Sequence, residues 1–224
     1  MFHVKQPLPM EQPRAAPLSP ADFQALTGAD AATVERLALY LGLLDKWRRR
    51  INLVGRGALA DPWRRHVLDS AQLAPLLPTG AADIVDLGSG AGFPGLVLAI
   101  VADRPVHLVD SDVRKCAFLR EAARAAEAPV SVHNARIEAL SGLNADVVTA
   151  RACAPLPRLL AWTAPLLKTG GRCLFLKGKD VAAELTASEK TWMMRLTRWQ
   201  SRSDPSGTIL MVDDLHPRDD GRLQ

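Results

Sequence analysis

The sequence has few cysteines and no long apolar segment. Cys116, Cys153 and Cys173 are widely spaced and form no CxxC pair, so we expect no metal site and no dithiol redox chemistry. Thiols used this sparingly are typical of a reducing cytoplasm, where they pack as small apolar groups. No run of about 18 uncharged apolar residues is present, and the first residues lack the apolar core of a secretory signal. We therefore expect a cytoplasmic protein without a membrane partner.

The surplus of positive charge is small but unevenly distributed. The 28 Lys and Arg residues exceed the 24 Asp and Glu residues by four, which is too little to identify a nucleic-acid-binding protein. Residues 36–66, however, contain eight bases and only two acids, Asp45 and Asp61. The eight bases are Arg36, Lys46, Arg48, Arg49, Arg50, Arg56, Arg64 and Arg65. The sequence therefore places a local basic region in its first third.

Proline, helical periodicity and strand–helix alternation divide the chain into three segments. Residues 1–20 contain five prolines and predict a disordered tail. Residues 21–78 predict a helical cap, with one helix capped by Thr33 and a second helical stretch from Pro62 to Leu76. Residues 79–224 form the third segment, in which short apolar runs alternate with helical patterns.

The third segment predicts an α/β fold with a mostly parallel sheet, because short apolar runs that alternate with helices are typical of strands buried on both faces. The predicted strands are 83–87, 106–109, 130–133, 146–150 and 173–176. The predicted helices are 95–102, 114–127, 154–168 and 180–190. Residues 192–199 and 208–212 predict a closing hairpin.

A glycine-rich loop follows the first predicted strand, in the segment Asp86-Leu87-Gly88-Ser89-Gly90-Ala91-Gly92-Phe93-Pro94-Gly95. Its spacing matches both the dinucleotide pattern G-x-G-x-x-G and the pattern D-x-G-x-G-x-G of S-adenosylmethionine enzymes. The second strand ends at Asp110, 20 residues after Gly90, where a carboxylate can accept hydrogen bonds from ribose hydroxyls of either cofactor. A tight turn without a ligand is the structural alternative.

Several ordered segments together resemble the bacterial ribosomal RNA small subunit methyltransferase G family, also called glucose-inhibited division protein B. The resemblance extends over residues 33–212. It rests on Trp47 to Leu53, Arg65-His66-Val67-Leu68-Asp69-Ser70, Asp86 to Gly95, Asp110-Ser111, Arg136-Ile137-Glu138, Ala150-Arg151-Ala152 and Lys177-Gly178. It implies a class I methyltransferase fold, Rossmann-like with seven strands, in residues 79–224, preceded by a helical extension. It also implies methyl transfer from S-adenosylmethionine to N7 of a guanine in 16S rRNA of the small ribosomal subunit.

The resemblance and the residues themselves assign roles to individual positions. The resemblance implies that Gly88 and Phe93 line the cofactor loop, that Ile137 and Glu138 contact the adenine, and that Arg151 borders the active site. With the loop and strand-end residues, the predicted cofactor-binding residues are Gly88, Ser89, Gly90, Phe93, Asp110, Ile137, Glu138 and Arg151. The predicted RNA or substrate residues are Arg65, His66, Asp69, Asn52 and Lys177. Arg151 is also the predicted catalytic residue, with the task of orienting guanine. The alternatives are a salt-bridged Arg151 and a purely structural helix in which Arg65 pairs with Asp69, since residues four apart on a helix are neighbours.

The chemistry of guanine N7 predicts a site without a general base. N7 presents a lone pair on the major-groove edge, so no proton must be removed before attack and the protein's task is alignment. We expect a monomer. The alternatives left open are a methyltransferase of another RNA or small molecule, an inactive nucleotide-sensing protein and an NAD-dependent oxidoreductase.

Overall fold

The computed structural model describes residues 16–55 and 58–218. Most of the predicted tail, residues 1–15, therefore lies outside the described residues. Leu18, within the last part of that segment, is buried, and its backbone N–H donates to Oδ1 of Asp61 over 3.0 Å. Within the described ranges no helix is both long and apolar enough to cross a membrane.

Seven α-helices are present in the described ranges. They are α1 (Pro20–Thr27), α2 (Ala31–Trp47), α3 (Asp69–Ala71), α4 (Gly95–Ala102), α5 (Val113–Ala125), α6 (Leu156–Thr163) and α7 (Val181–Ser188). A π-helical turn, Trp63–Leu68, leads directly into α3. Short 3-10 turns occur at Ala58–Ala60, Ala74–Leu76, Ile137–Ala139 and Ala164–Leu166.

Seven strands form one sheet in the order β3-β2-β1-β4-β5-β7-β6. They are β1 (Ile84–Leu87), β2 (Val106–Asp110), β3 (Val130–Asn134), β4 (Ala145–Arg151), β5 (Leu167–Lys177), β6 (Trp192–Gln200) and β7 (Thr208–Pro217). Strands β1 to β5 pair in parallel, and β7 pairs antiparallel with both β5 and β6. The predicted mostly parallel sheet and its closing hairpin are confirmed. The strand order reverses between β1 and β4, where the carboxyl ends of open α/β sheets bind ligands.

Several boundaries differ from the predictions. Strand β5 begins six residues earlier than predicted, and β7 ends five residues later. The N-cap predicted at Thr33 was wrong, since Asp30 caps α2 and accepts the backbone N–H of Thr33 over 2.7 Å. The helix predicted over 154–168 ends at Thr163, because Pro165 cannot donate the next helical hydrogen bond and β5 begins at Leu167. No difference moves the carboxyl end of a parallel strand by more than one residue.

The two faces of the sheet are covered by different helices. On one face, Leu37 and Leu44 of α2 and Trp63 pack in one hydrophobic cluster with Leu96 of α4 and Phe118 of α5. On the other face, α6 and α7 cover the strands through a second cluster. All four residues of β1 are buried. The N-terminal helices and the sheet therefore share one hydrophobic core.

The single tyrosine of the chain, Tyr40, ties α2 to the glycine loop. Its side chain is fully buried, and its hydroxyl donates to the backbone carbonyl of Ala91. Burial raises the pKa of Tyr40 well above its ordinary value, so the hydroxyl remains a donor. The helical segment thus fixes the backbone of the glycine loop directly.

The substitution Tyr40→Phe tests this anchor. It leaves the buried carbonyl of Ala91 without its donor, and we expect a loss of about 1–3 kcal/mol in the free energy of unfolding. Urea denaturation measures the loss. The control is Leu39→Ala, whose side chain is 50% exposed on the same helix and which should change stability by less than about 0.5 kcal/mol. Equal stability of Tyr40→Phe and the unsubstituted protein would contradict the anchor.

Candidate functional site

The glycine loop joins β1 to α4 and requires glycine at several positions. Gly88, Gly90 and Gly92 have φ of +65°, +56° and +96°, the left-handed region in which other residues are strained. A Cβ on Gly88 would also lie 2.5 Å from Sγ of Cys153. The loop therefore packs its bare backbone against the segment that follows β4.

Asp110 closes the loop from the neighbouring strand. Its Oδ2 accepts the backbone N–H of Gly90 over 2.9 Å, and its Oδ1 accepts that of Asp112 over 2.8 Å. A carboxylate has about four acceptor positions, and Nζ of Lys115 lies 3.8 Å from Oδ2, beyond hydrogen-bond distance. Each oxygen of Asp110 therefore retains one acceptor position, and the two positions suit the two neighbouring hydroxyls of a ribose.

Ser89 and Asp86 support the loop from below. The hydroxyl of Ser89 donates to the backbone carbonyl of Asp86 over 2.9 Å and accepts the N–H of Val109 over 3.1 Å. Asp86 is fully buried, and Thr149 donates to its Oδ1 over 2.8 Å. Burial raises the pKa of Asp86 to about 6. The side chain of Ser89, predicted to bind cofactor, is thus engaged in joining the ends of β1 and β2.

Arg151, the last residue of β4, is held on several sides. Its guanidinium lies over the ring of Phe93, with Cζ 4.8 Å from the ring centroid. One terminal nitrogen donates to the backbone carbonyl of Arg65 over 3.0 Å and to Oδ2 of Asp69 over 3.2 Å. The other lies 3.2 Å from Nδ1 of His66. The structure therefore brings five sequence-predicted residues into one contact group.

His66 is neutral and has a defined tautomer in this group. Its ring stacks on Phe93, with centroids 4.7 Å apart and planes at 22°. Burial, followed by the charge of Arg151, lowers the pKa of His66 to about 3. Arginine can only donate, so Nδ1 of His66 is the acceptor and Nε2 carries the proton. Among the described residues, Nε2 is buried and has no hydrogen-bond partner.

Asp69 connects Arg151 to the turn between β6 and β7. While its Oδ2 binds Arg151, its Oδ1 accepts the hydroxyls of Ser201 over 3.2 Å and Ser203 over 2.5 Å. Oδ1 also accepts the side-chain amide of Gln72 over 3.1 Å. Both carboxylate oxygens are thus bound to protein groups, which favours a positioning role for Asp69 over direct RNA contact.

A cavity of about 980 Å³ opens on the β5 side of Arg151. Its walls come from the carboxyl ends of β4 and β5, from the turn Ser201–Gly207 and from residues 53–55. The charged residues in its lining are Arg65, Arg151, Lys177, Asp69, Asp180, Glu184 and Asp204. Arg151 both lines this cavity and contacts Phe93 of the glycine loop.

The remaining predicted residues lie around this centre. Ile137 packs against the second hydrophobic cluster, and the exposed Glu138 pairs with Arg158 over 3.3 Å. Asn52 is exposed beside the cavity-lining residues 53–55. Lys177 is only 9% exposed and pairs with Glu184 over 2.5 Å. Little of its side chain is therefore accessible to RNA. The roles assigned to these residues stay predictions.

Sequence reasoning missed Tyr40, Cys153, Ser201, Ser203 and Glu184. Ser201 and Ser203 follow directly after the predicted hairpin strand 192–199, which is the one signal in the sequence that places them in a turn. Nothing in the sequence indicates which side chain that turn contacts.

The sequence and the fold were compared with known proteins. The profile of the rRNA small subunit methyltransferase G family matches residues 33–203. A protein of Paramagnetospirillum magneticum named ribosomal RNA small subunit methyltransferase G is 56% identical over 198 residues, which are 88% of this chain and 97% of that protein. Its namesake in Rhodospirillum rubrum is 54% identical over 199 residues, 89% of this chain and 99% of that protein.

Two solved structures illustrate the shared fold. A TehB-like SAM-dependent methyltransferase from Corynebacterium glutamicum has a TM-score of 0.54 at 17% identity, covering 79% of this chain and 98% of that one. The N-methyltransferase NodS from Bradyrhizobium japonicum, solved with S-adenosyl-L-homocysteine, has a TM-score of 0.52 at 15% identity, covering 78% and 97%. At these identities the similarity shows the fold alone.

Nitrogen-15 NMR tests the state of His66. We expect Nε2 to carry the proton at pH 7 and the ring to stay neutral down to about pH 4, because its pKa in the folded protein is about 3. The same histidine in urea should titrate near the ordinary value of about 6.5. Since only the unfolded chain binds this proton between those values, stability contributed by His66 falls as pH falls through that window. Protonation of folded His66 near pH 6.5 would contradict the buried arrangement.

Proposed function

The chain belongs to the rRNA small subunit methyltransferase G family, and from this we propose that it transfers a methyl group from S-adenosylmethionine to N7 of a guanine in 16S rRNA. Its relatives of the same name are 56% and 54% identical to it over nearly their full lengths. Methyl transfer to small-subunit rRNA is the activity in those names. The choice of guanine N7 is the finer part of the proposal and draws its support from the site.

The residues at the carboxyl ends of β1 and β2 fit S-adenosylmethionine. When bound, this cofactor supplies a methyl group activated by a sulfonium sulfur. Gly88 and Gly90 keep the loop backbone open to a ligand, and the two free acceptor positions of Asp110 suit the ribose hydroxyls. Ile137 and Glu138, which follow β3, are proposed to border the adenine.

The cavity that Arg151 lines suits a reaction that needs no general base. The lone pair of guanine N7 attacks without loss of a proton. His66, the one histidine in the cavity lining, is neutral, and its Nδ1 is occupied by Arg151. The contribution of the protein is then to hold the base and exclude water, which is the effect of proximity and orientation.

The charge of the cavity lining also supports N7 as the acceptor. Methylation at N7 moves positive charge onto the purine. Four carboxylates (Asp69, Asp180, Glu184, Asp204) and three cations (Arg65, Arg151, Lys177) line the cavity, so acids exceed bases by one. Carboxylates placed before the reaction favour the developing positive charge without reorganisation.

The position of Arg151 is the observation that carries the proposal. It contacts Phe93 of the glycine loop and lines the cavity, and its guanidinium is already bound to Asp69 and His66. A free arginine against N7 would oppose the transfer of positive charge to the base. Because Asp69 neutralises Arg151, the guanidinium orients the base at lower electrostatic cost.

We further propose that the helical segment 21–78 acts as a cap on the methyltransferase domain 79–224, and that the enzyme acts as a monomer. The anchor from Tyr40 to Ala91 supports a fixed rather than a hinged cap. A cytoplasmic location is proposed because ribosomal RNA, the substrate, is there.

Mapped methyl transfer tests the function. We expect the protein to transfer one labelled methyl group from S-adenosylmethionine to undermethylated small ribosomal subunits or their 16S rRNA. We expect chemical cleavage at 7-methylguanine to locate the label at a single guanine. Large subunits are the control. Label on another base or another guanine atom would contradict the N7 assignment, and label on neither substrate would contradict rRNA methylation.

Arg151→Ala tests the orienting role. We expect the single-turnover rate of methyl transfer at saturating S-adenosylmethionine to fall about a hundredfold, as expected when a positioned reactant is displaced by about 1 Å. Arg151→Lys retains the charge but cannot reach Asp69 and His66 together, and it should lose nearly as much. Arg120→Ala, at an exposed position of α5, should keep the full rate. An unchanged rate in Arg151→Ala would remove Arg151 from the mechanism.

A further inference from the structure

Strand β6 is an edge strand with a strong positive charge. It pairs with β7 on one side, and the sheet ends there. Residues 190–203 contain four bases and no acid. The four bases are Lys190, Arg195, Arg198 and Arg202. This second basic region lies far in sequence from the one in residues 36–66, and the proposed chemistry does not use it.

The same strand exposes large apolar side chains. Trp199 is 37% exposed and Met193 is 45% exposed. The other four tryptophans of the chain are all described and are buried or half-buried. Trp199 pairs in register with Ile209 of the first cluster, so its ring stands on the sheet face that carries the N-terminal helices. Arg198 pairs with Leu210 of the second cluster and points to the opposite face. Aromatic residues, Met and Arg are enriched at interfaces relative to the rest of a protein surface, and this strand exposes all three.

Strand β6 leads directly into the wall of the substrate cavity. Two residues after Trp199 the chain enters the turn Ser201–Gly207, which lines the cavity. Gln200 holds this turn closed by donating to the carbonyls of Pro205 over 2.7 Å and Gly207 over 2.8 Å. Ser203 binds Asp69, the partner of Arg151. The exposed ring is therefore fixed relative to the site of methyl transfer.

Charge decides which partner suits this edge. An exposed strand edge can pair with the edge of a second copy, but arginines on both edges oppose such pairing. Arg195 is paired with Asp214 over 3.1 Å. Within residues 16–55 and 58–218, Arg202 forms no ion pair. Single-stranded RNA offers a phosphate for Arg202 and an unstacked base for the indole ring.

We propose that Trp199 and Arg202 form a docking surface for nucleotides that flank the methylated base. Trp199 stacks on an unpaired base, and Arg202, whose backbone N–H donates to Oε1 of Gln72, contacts a phosphate. This inference rests on the proposed function, because it assumes that the target base occupies the cavity beside Ser203. It assigns to the β6–β7 hairpin a part of substrate recognition separate from the reaction centre.

Substitutions at Trp199 test the stacking contact. We expect Trp199→Ala to weaken binding of undermethylated small subunits by about fivefold or more, as the loss of one stacked aromatic residue does. Trp199→Phe, which keeps a stacking ring, should stay within about threefold. S-adenosyl-L-homocysteine affinity and the single-turnover rate at saturating subunits should not change in either variant, since neither touches the reaction centre.

Arg202 is tested by the salt dependence of binding. The variant Arg202→Gln should reduce the slope of log affinity against log salt by about 0.7, the value for one single-strand phosphate contact. The matched control is Arg124→Gln, at an exposed position of α5 near the opposite edge of the sheet. It should leave the slope unchanged.

The outcomes separate this inference from the proposed function. If the wild-type protein methylates rRNA and the Trp199 and arginine variants bind as it does, the docking surface is overturned and the function stands. If light scattering shows a dimer that Trp199→Ala separates while RNA affinity is unchanged, the edge serves self-association and the inference is likewise overturned. If the wild-type protein methylates no rRNA, both the proposed function and this inference are overturned.

Discussion

The guanidinium of Arg151 is the interaction on which the site depends. It is bound at once by the ring of Phe93, the imidazole of His66 and the carboxylate of Asp69. Those partners come from the glycine loop, the π-helical turn and α3, which pack on one face of the sheet. The carboxylate then continues to the hydroxyls of Ser201 and Ser203. One cation therefore fixes the relative positions of the cofactor loop, the cap and the far wall of the cavity.

The groups around this cation are suited to positioning rather than to proton transfer. His66 is kept neutral by burial, and burial also raises the pKa of the Cys153 thiol to about 11. Asp86 has a raised pKa, and its Oδ1 is bound to Thr149. These titratable groups therefore hold neighbours in place, while the methyl acceptor brings its own lone pair.

Much of the fold follows from local sequence patterns, whereas the side-chain contacts within the site do not. The apolar runs at 83–87 and 106–109 predict buried strands, and the spacing of 20 residues from Gly90 predicts a carboxylate near the loop, where Asp110 accepts the N–H of Gly90. By contrast, Asp69 and Ser201 are 132 residues apart, and their contact depends on how the hairpin packs against α3. Lys177 was predicted from its basic charge, but Glu184, one turn into α7, takes up that charge. Contacts between side chains on separate layers are set by packing that no local pattern encodes.

The core shared by the N-terminal helices and the sheet has a consequence for how such an enzyme diversifies. Leu37, Leu44 and Trp63 lie in the same cluster as Leu96 and Phe118, so the helices are not a module that recombination can exchange without opening the interior. The β6–β7 hairpin, at the margin of the sheet, tolerates replacement of exposed residues without that cost. Descendants that acquire new RNA targets should therefore diverge first along this margin, while the helices change slowly together with the sheet.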